Sequence, residues 1–163
     1  MNDQSARLVW PGGQPRVGES ARRSRLVSDQ DIVRFTEISG DRNPLHYDAD
    51  RAAATRFGGI VVQGGVTSAI LNAVVAEDLP GPGTVFLDVA WRFLAPVRPG
   101  MRITGEVTVT KVRDDKPVTE LVTRVYADDG TCVLDGTAVC YTMALPDPAD
   151  AAATTEGRDG VTA

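Results

Sequence analysis

The second half of the chain alternates apolar and polar residues with a period of two. From Ile103 to Thr110 the odd positions are mostly apolar and the even positions polar, as in an antiparallel sheet with one face on the core. Turn residues rich in Gly, Pro and Asp separate four such segments. The predicted strands are Thr84 to Leu94, Met101 to Val112, Val118 to Ala127 and Thr131 to Met143, with an earlier one within Val17 to Val27.

The middle of the chain has helical spacing instead. Between Val66 and Ala76 apolar residues cover nearly the whole circumference of a helix, which predicts a helix buried inside the fold. Together with the strands that follow, this segment predicts an α+β domain in which an antiparallel sheet surrounds one helix.

Two short helices are predicted on either side of residue 43. Ser28, with Asp31 three residues later, resembles a capping box, and the helix after it should end near Gly40. Its helical spacing is formed by three apolar residues, Ile32, Phe35 and Ile38. A second short helix is predicted from about Ala49 to Arg56, where an alanine run favours helix before two glycines stop it.

The composition is that of one globular domain, with 42% apolar and 24% charged residues among 163. The patterned part covers residues 17–144. Residues 1–16 are predicted to form an N-terminal arm, and residues 145–163, rich in Pro, Ala, Asp, Thr and Gly, a disordered tail. No apolar run reaches the length of a membrane span and the first residues do not form a signal peptide, so we expect a cytoplasmic protein.

Charge and cysteine content exclude two further classes of function. A net charge of −5 argues against a general nucleic-acid binder, which needs a basic face. Cys132, Cys140 and a single histidine are too few for the usual four-ligand zinc site, and no metal is expected. The two cysteines are predicted to be small buried side chains in a strand.

Asp41 and His46 are the candidate acid/base pair. His46 is the only histidine and follows Asp41 by five residues, across Asn43-Pro44. Side chains on one helical face are three or four residues apart, and Pro44 is expected to break a helix. A turn must therefore bring the two side chains together.

The string from Phe35 to His46 resembles the signature of the MaoC-like, (R)-specific enoyl-CoA hydratase family of hot-dog-fold proteins. The family motif has an aromatic residue, then Gly-Asp-x-Asn-Pro-aliphatic-His, then a small residue six positions later. The residues that fill it here are Gly40, Asp41, Asn43, Pro44, Leu45, His46 and Ala52. The resemblance implies a hot dog, an antiparallel sheet wrapped around a central helix, acting as a homodimer or dimer-based oligomer.

The resemblance also implies an activity. The expected enzyme is a lyase of fatty acid or polyketide metabolism that hydrates 2-enoyl-CoA with (R) specificity or dehydrates a 3-hydroxyacyl thioester. Asp41 and His46 would activate water, and the Gly64 N–H would hold the thioester carbonyl. No cofactor is expected, because coenzyme A or an acyl carrier protein is part of the substrate.

Two positions depart from the family pattern. Gln63 stands where many relatives have histidine, and it cannot serve as a second general base. Asn72 stands where some relatives have serine; it could orient Asp41, line the acyl pocket or be a buried structural amide. Together with Asn43 of the motif, Gln63 and Asn72 are candidate substrate-binding residues.

Four cations are candidates for binding coenzyme A phosphates or a carrier protein, although such residues are usually solvated surface: Arg92, Arg98, Arg113 and Lys116.

Two other functions compete with hydration. Many hot-dog thioesterases use a carboxylate on the central helix, but here Glu77 and Asp78 come only at its far end. A non-catalytic acyl-thioester-binding protein could also keep the motif. Release of free thiol, or tight binding without reaction, would distinguish these from a lyase.

Overall fold

The structure is a computed structural model that describes Trp10 and residues 13–145. Most of the predicted N-terminal arm, and the predicted disordered tail from residue 146 onward, lie outside the described residues. The predicted division into arm, domain and tail stays a prediction.

The described chain forms one strand, four helices and then four strands. These elements are β1 (Ser20–Leu26), α1 (Asp29–Ser39), α2 (Pro44–Tyr47), α3 (Ala49–Ala53), α4 (Gly64–Glu77), β2 (Thr84–Phe93), β3 (Arg102–Val112), β4 (Val118–Ala127) and β5 (Cys132–Thr142). All five predicted strands are present, with ends within one to three residues of the sequence prediction. The predicted helix at 66–76 is two residues longer at its start, because it begins at Gly64.

The five strands form one antiparallel sheet in the order β1-β3-β4-β5-β2. Helix α4 packs on one face of this sheet, in contact with β1, β2, β3 and β4. This is the α+β arrangement predicted from the sequence. Strand β2 lies at an edge, so one of its sides has no neighbouring strand in the described sheet.

The core forms where α4 meets the inner face of the sheet. Ile103 and Val107 of β3 are fully buried there, as is Leu71 of α4. Gly105 lies between them; a Cβ atom at this position would come within 2.8 Å of Ile70 Cγ2. The glycine therefore allows the helix to approach the sheet closely.

The outer face of the sheet carries a row of alternating charges, one from each strand. In sheet order these are Arg22, Glu106, Arg124, Asp135 and Arg92, and each is directly opposite its neighbour in register. Arg22 forms an ion pair with Glu106. Arg124 Nε donates to Asp135 Oδ1 at 2.9 Å and Arg92 donates to Asp135 Oδ2 at 3.2 Å. We call this row the charge ladder.

The ends of α1 agree with the sequence prediction. The Ser28 backbone N–H donates to Asp31 Oδ2 at 2.8 Å, which is half of a capping box. At the other end Gly40 adopts a left-handed conformation with φ 76°, which glycine reaches without steric cost.

Ile38, one of the three apolar residues whose spacing predicted α1, is 84% exposed. The buried positions of α1 include Ile32 and Thr36, four residues apart on one helical face. Ile38 is about 120° around the helix from Ile32 and about 160° from Thr36, so its side chain lies away from both. One of the buried positions is thus taken by a polar residue, Thr36.

The helix break expected at Pro44 is confirmed, because α1 ends at Ser39 and a separate short helix, which was not predicted, begins at Pro44. Proline is favoured at the first helical position, where its missing N–H has no partner in any case. Asn43 caps this turn, with its Oδ1 accepting the N–H of Leu45 at 3.1 Å. The following helix, α3, is shorter than predicted and ends at Ala53.

Both cysteines lie on β5. Cys140 is fully buried, and burial raises the pKa of its thiol to about 12. Cys132 is half-buried. In the part of the chain that the structure describes, no helix has the length and apolar character needed to cross a membrane.

Candidate active site

Asp41 is held in the loop between α1 and α2 by three local hydrogen bonds. Its N–H donates to Ser39 Oγ at 3.1 Å, and its carbonyl accepts from Thr36 Oγ1 at 2.7 Å. Its Oδ1 accepts the N–H of Asn43 at 3.0 Å. These contacts leave Oδ2 directed at His46, whose Nε2 lies 3.5 Å away. The predicted pair is therefore brought together by a capped turn.

The tautomer of His46 follows from its second contact. Nδ1 lies 2.7 Å from the carbonyl oxygen of Val61. A carbonyl can only accept, so Nδ1 must carry the hydrogen. In the neutral ring the lone pair is then on Nε2, facing the Asp41 carboxylate. The His46 side chain is 9% exposed and the Asp41 side chain 39%.

With a neutral ring, His46 Nε2 and the Asp41 carboxylate are two hydrogen-bond acceptors that face each other. This arrangement determines which group can bind between them. Neutral Nε2 and ionised Oδ2 cannot donate to each other, so the group best suited to satisfy both is a water molecule that donates to each. The pair is thus arranged to bind water and to exchange a proton with it.

Gly64 begins α4, and the first N–H groups of a helix have no intrahelical partner. A cavity of about 600 Å³ opens in front of it. The cavity lining includes Val61, Gly64, Thr67, Phe93 and Arg98. A Cβ atom on residue 64 would lie 3.1 Å from the ring of Phe93, so glycine keeps the gap between helix and ring open. Val61 connects the two parts of the site, because its carbonyl holds His46 while the residue lines the cavity.

The candidate cations have different surroundings. Arg98 lines the cavity and donates to the carbonyls of Phe57 and Ile60, so it braces the wall of the cavity. Arg92 and Arg113 form surface ion pairs with aspartates. Lys116 is exposed in the turn between β3 and β4. A cation that the sequence prediction missed, Arg56, also lines the cavity; it lies 5.3 Å from the ring centre of Phe57.

Thr36 and Tyr47 were also missed by the sequence prediction. Thr36 Oγ1 is within hydrogen-bonding distance of Tyr47 Oη, and it accepts from Gln63 Nε2 at 3.1 Å. The signal that could have found Thr36 is a hydroxyl on the buried face of α1. Nothing in the residues around Tyr47 distinguishes its hydroxyl from that of any surface tyrosine.

The chain also matches a known protein family. The family model of the MaoC like domain matches residues 13–130. The chain belongs to this family. The MaoC-like region thus covers β1 to β4 and all four helices, with Asp41 in the loop before α2 and His46 in α2.

Two of the similar proteins are named as enzymes. The chain is 36% identical over 123 residues to the (R)-specific enoyl-CoA hydratase of Aeromonas caviae, covering 76% of this chain and 92% of that protein. It is also 36% identical over 123 residues to the 3-hydroxybutyryl-CoA dehydratase of Methylorubrum extorquens, covering 76% and 78%. The solved structure of the A. caviae (R)-hydratase involved in PHA biosynthesis matches with a TM-score of 0.75 and 34% identity, covering 79% and 98%. The predicted hot-dog fold is confirmed.

The two departures from the MaoC-like pattern have different positions in the structure. Gln63 is 2% exposed, occupies the N-cap position of α4 without a side-chain capping bond, and is joined to Asp41 through Thr36. Asn72 is exposed on α4, eight residues beyond Gly64 and so about 12 Å along the helix axis. The structure therefore brings together Asp41, Asn43, His46 and Gln63, and it places Asn72 apart from them. Asn72 is not the buried amide that was one of its three interpretations.

The described residues contain no group of three or more His, Cys, Asp and Glu side chains that could hold a metal ion.

Proposed function

We propose that this MaoC-like protein is a hydro-lyase that adds water to 2-enoyl thioesters with (R) specificity, or removes it from 3-hydroxyacyl thioesters. The observation that carries the proposal is the position of Asp41 Oδ2 opposite His46 Nε2, at 3.5 Å. The relatives named as an enoyl-CoA hydratase and a 3-hydroxybutyryl-CoA dehydratase support the same chemistry.

In the proposed hydration, water lies between Asp41 and His46. As its oxygen forms a bond to C3 of the enoyl group, one of its O–H bonds breaks and the proton passes to the pair; the lone pair on Nε2 is suited to receive it. The pair then returns a proton to C2, which forms the new C–H bond. Because the same two side chains serve both steps, the addition is syn.

The thioester carbonyl oxygen gains negative charge when C3 is attacked. The N–H of Gly64, at the positive end of the α4 dipole, is the proposed donor to this oxygen. The cavity in front of Gly64 would take the acyl chain, with Val61, Val62 and Phe93 as apolar wall. Asn43 acts indirectly, by holding the turn that aims Asp41.

The substrate carrier and the assembly belong to the same proposal. We infer a thioester of coenzyme A or of an acyl carrier protein as partner, with no separate cofactor, and a cytoplasmic homodimer or dimer-based oligomer. Support for the dimer comes from the open edge of β2, where large apolar side chains are exposed: Val85, Leu87, Val89 and Phe93. An unpaired apolar edge strand is a ready template for pairing with a second chain.

The test is a panel of enoyl and 3-hydroxyacyl thioesters on both carriers, read by the mass gain or loss of one water. We expect turnover on at least one carrier, and loss of turnover on replacing His46→Gln. Retention of full activity by a folded His46→Gln protein would overturn the assignment. Light scattering of the same samples measures the oligomeric state, and a monomer would refute the dimer.

The same panel separates the competing activities. Ellman's reagent detects the free thiol that a thioesterase releases, whereas a lyase consumes or creates the conjugated enoyl bond without releasing thiol. Glu77 and Asp78, the two acids that a thioesterase could use, lie at the end of α4 that is far from Gly64. Asp78 already binds Arg23 at 3.0 Å. Binding of an acyl thioester with no reaction at all would identify a non-catalytic protein.

A further inference from the structure

The hydroxyl of Thr36 is a buried junction of three hydrogen bonds. Thr36 is 4% exposed. Its Oγ1 donates to the carbonyl of Asp41 at 2.7 Å, lies against Tyr47 Oη and accepts from Gln63 Nε2 at 3.1 Å. The partners come from the loop after α1, from α2 and from the N-cap of α4.

The direction of each bond follows from the number of hydrogens. A threonine hydroxyl has one hydrogen and two lone pairs. The Asp41 carbonyl can only accept, so it takes the single hydrogen of Thr36. Tyr47 must then donate its own hydrogen, and Gln63 donates from its amide nitrogen. All three bonding positions of the Thr36 oxygen are used.

The orientation of the Gln63 amide is equally determined. Its Nε2 also donates to the carbonyl of Ile32 at 3.3 Å. The reversed amide would place its oxygen against that carbonyl and against the filled lone pairs of Thr36. In the orientation found, Gln63 Oε1 is buried and has no hydrogen-bond partner among the described residues. A buried unpaired oxygen lowers stability, so stability alone does not account for this amide.

The three partners of Thr36 are linked to the three groups proposed to act on substrate. Thr36 holds Asp41 directly, through the Asp41 carbonyl. Tyr47 directly follows His46, and Gln63 directly precedes Gly64. We propose that Thr36 is a positioning residue, whose oxygen sets Asp41, His46 and the Gly64 N–H in place relative to one another. This inference rests on the proposed hydro-lyase function and assigns a role to Thr36, which lies within the Phe35 to His46 string but is not one of the residues that fill the family motif.

The test compares two substitutions at one position. Thr36→Val keeps the shape and removes the oxygen, so it leaves the Asp41 carbonyl, the Tyr47 hydroxyl and the Gln63 amide unpaired. We expect kcat for the best thioester of the panel to fall about 30- to 100-fold, as for a displacement of the order of 1 Å at a reacting site. KM should change less than about threefold, because Thr36 does not line the cavity. Thr36→Ser keeps the oxygen and should restore most of kcat.

Thr119→Val is the matched control. Thr119 is also a fully buried threonine, but it lies on β4 and its hydroxyl has no partner within the described chain. It should leave kcat unchanged. Equal losses in Thr36→Val and Thr119→Val, equal losses in Thr36→Ser and Thr36→Val, or an unchanged kcat in folded Thr36→Val would each overturn the proposal.

A second measurement does not depend on activity. His46 is the only histidine, so its ring ¹⁵N resonances report directly which ring nitrogen carries the hydrogen. Thr36→Val should shift these resonances and the backbone amide of Asn43, whereas Thr36→Ser and Thr119→Val should not. If wild-type protein turns over no thioester, the proposed function fails, and this spectrum alone decides the positioning role.

Tyr47→Phe keeps the proposal falsifiable if Thr36→Val does not fold. It removes a single bond to the junction from a side chain that is 45% exposed, and so should be tolerated by the fold. We expect a smaller fall in kcat, about 3- to 10-fold, with the same direction of shift at His46. No change in kcat or in the His46 resonances would refute the role of the junction.

Discussion

Two buried threonines show how differently α1, beside the candidate active site, and the sheet use one residue type. Thr36 of α1 has all three bonding positions of its hydroxyl filled. Thr119 of β4 has no partner for its hydroxyl among the described residues, although it is fully buried. In the sheet the residue fills a β-branched position, where shape matters. In α1 the threonine oxygen connects Asp41, Tyr47 and Gln63. Removal of the hydroxyl should therefore affect function at Thr36 and have little effect at Thr119.

The largest effect should come from Asp41→Asn. Asparagine keeps the size of the side chain but cannot hold negative charge beside His46 or share a proton with it. We expect kcat to fall about 10²- to 10⁴-fold, the range for loss of an acid/base group, with an unchanged unfolding midpoint. Asp114→Asn, an exposed aspartate in the turn between β3 and β4, is the control. If folded Asp41→Asn kept the kcat of the wild type, the proposed acid/base role of Asp41 would be wrong.

The next effect lies in the sheet and concerns stability. Leu121→Ala empties a fully buried position on β4, and the cavity should lower the free energy of unfolding by about 2–5 kcal/mol. Urea denaturation measures it. At a temperature where the variant is folded, kcat should stay within about threefold of wild type, because the substitution is remote from the reacting groups. A selective loss of kcat would show that sheet and site are coupled.

A smaller effect depends on pH. Although burial of Asp31 opposes its ionisation, the Ser28 N–H and the Arg25 guanidinium outweigh it and hold the pKa of Asp31 below the ordinary value of 3.8. A lowered folded pKa means that the stabilisation is complete above that ordinary value and is lost as pH falls through the folded pKa. We expect Asp31→Asn to cost about 1 kcal/mol at pH 7. The difference from wild type should shrink below pH 3.8; a constant difference down to acid pH would contradict this.

The smallest effect, and the only favourable one, should be that of Thr119→Val on stability. Valine keeps the β-branched shape and removes a buried hydroxyl without a partner. We expect the free energy of unfolding to rise by about 0–1 kcal/mol, since removing an unsatisfied group is neutral or stabilising. A loss of 2 kcal/mol or more would mean that Thr119 has a hydrogen-bond role, and the contrast with Thr36 would fail.

The sheet was predictable because its information is local. Alternation and turn residues placed β3 and β4 within a residue of their observed bounds. Two details near Asp41 were not predicted. One is the short helix that begins at Pro44, although proline is favoured at the first helical position. The other is the exposure of Ile38, which shares its helical spacing with Ile32 and Phe35.

The acid/base pair was predictable from the motif, but its surroundings were not. Gln63 and Thr36 are 27 residues apart in the chain, and no periodic pattern connects them. The bond from His46 to Val61 spans 15 residues and uses a backbone carbonyl, which every residue has. Contacts of this kind depend on how separate elements pack, so they become visible only once the fold is assembled.

The charge ladder on the outer face has a consequence for assembly of the sheet. Each exposed ion pair adds little to stability, but the signs alternate across all five strands. Exchange of β3 with β4 would place Arg22 beside Arg124, and a slip of one residue would turn a charge toward the core. The ladder thus favours the native register and disfavours every strand order that places two like charges side by side.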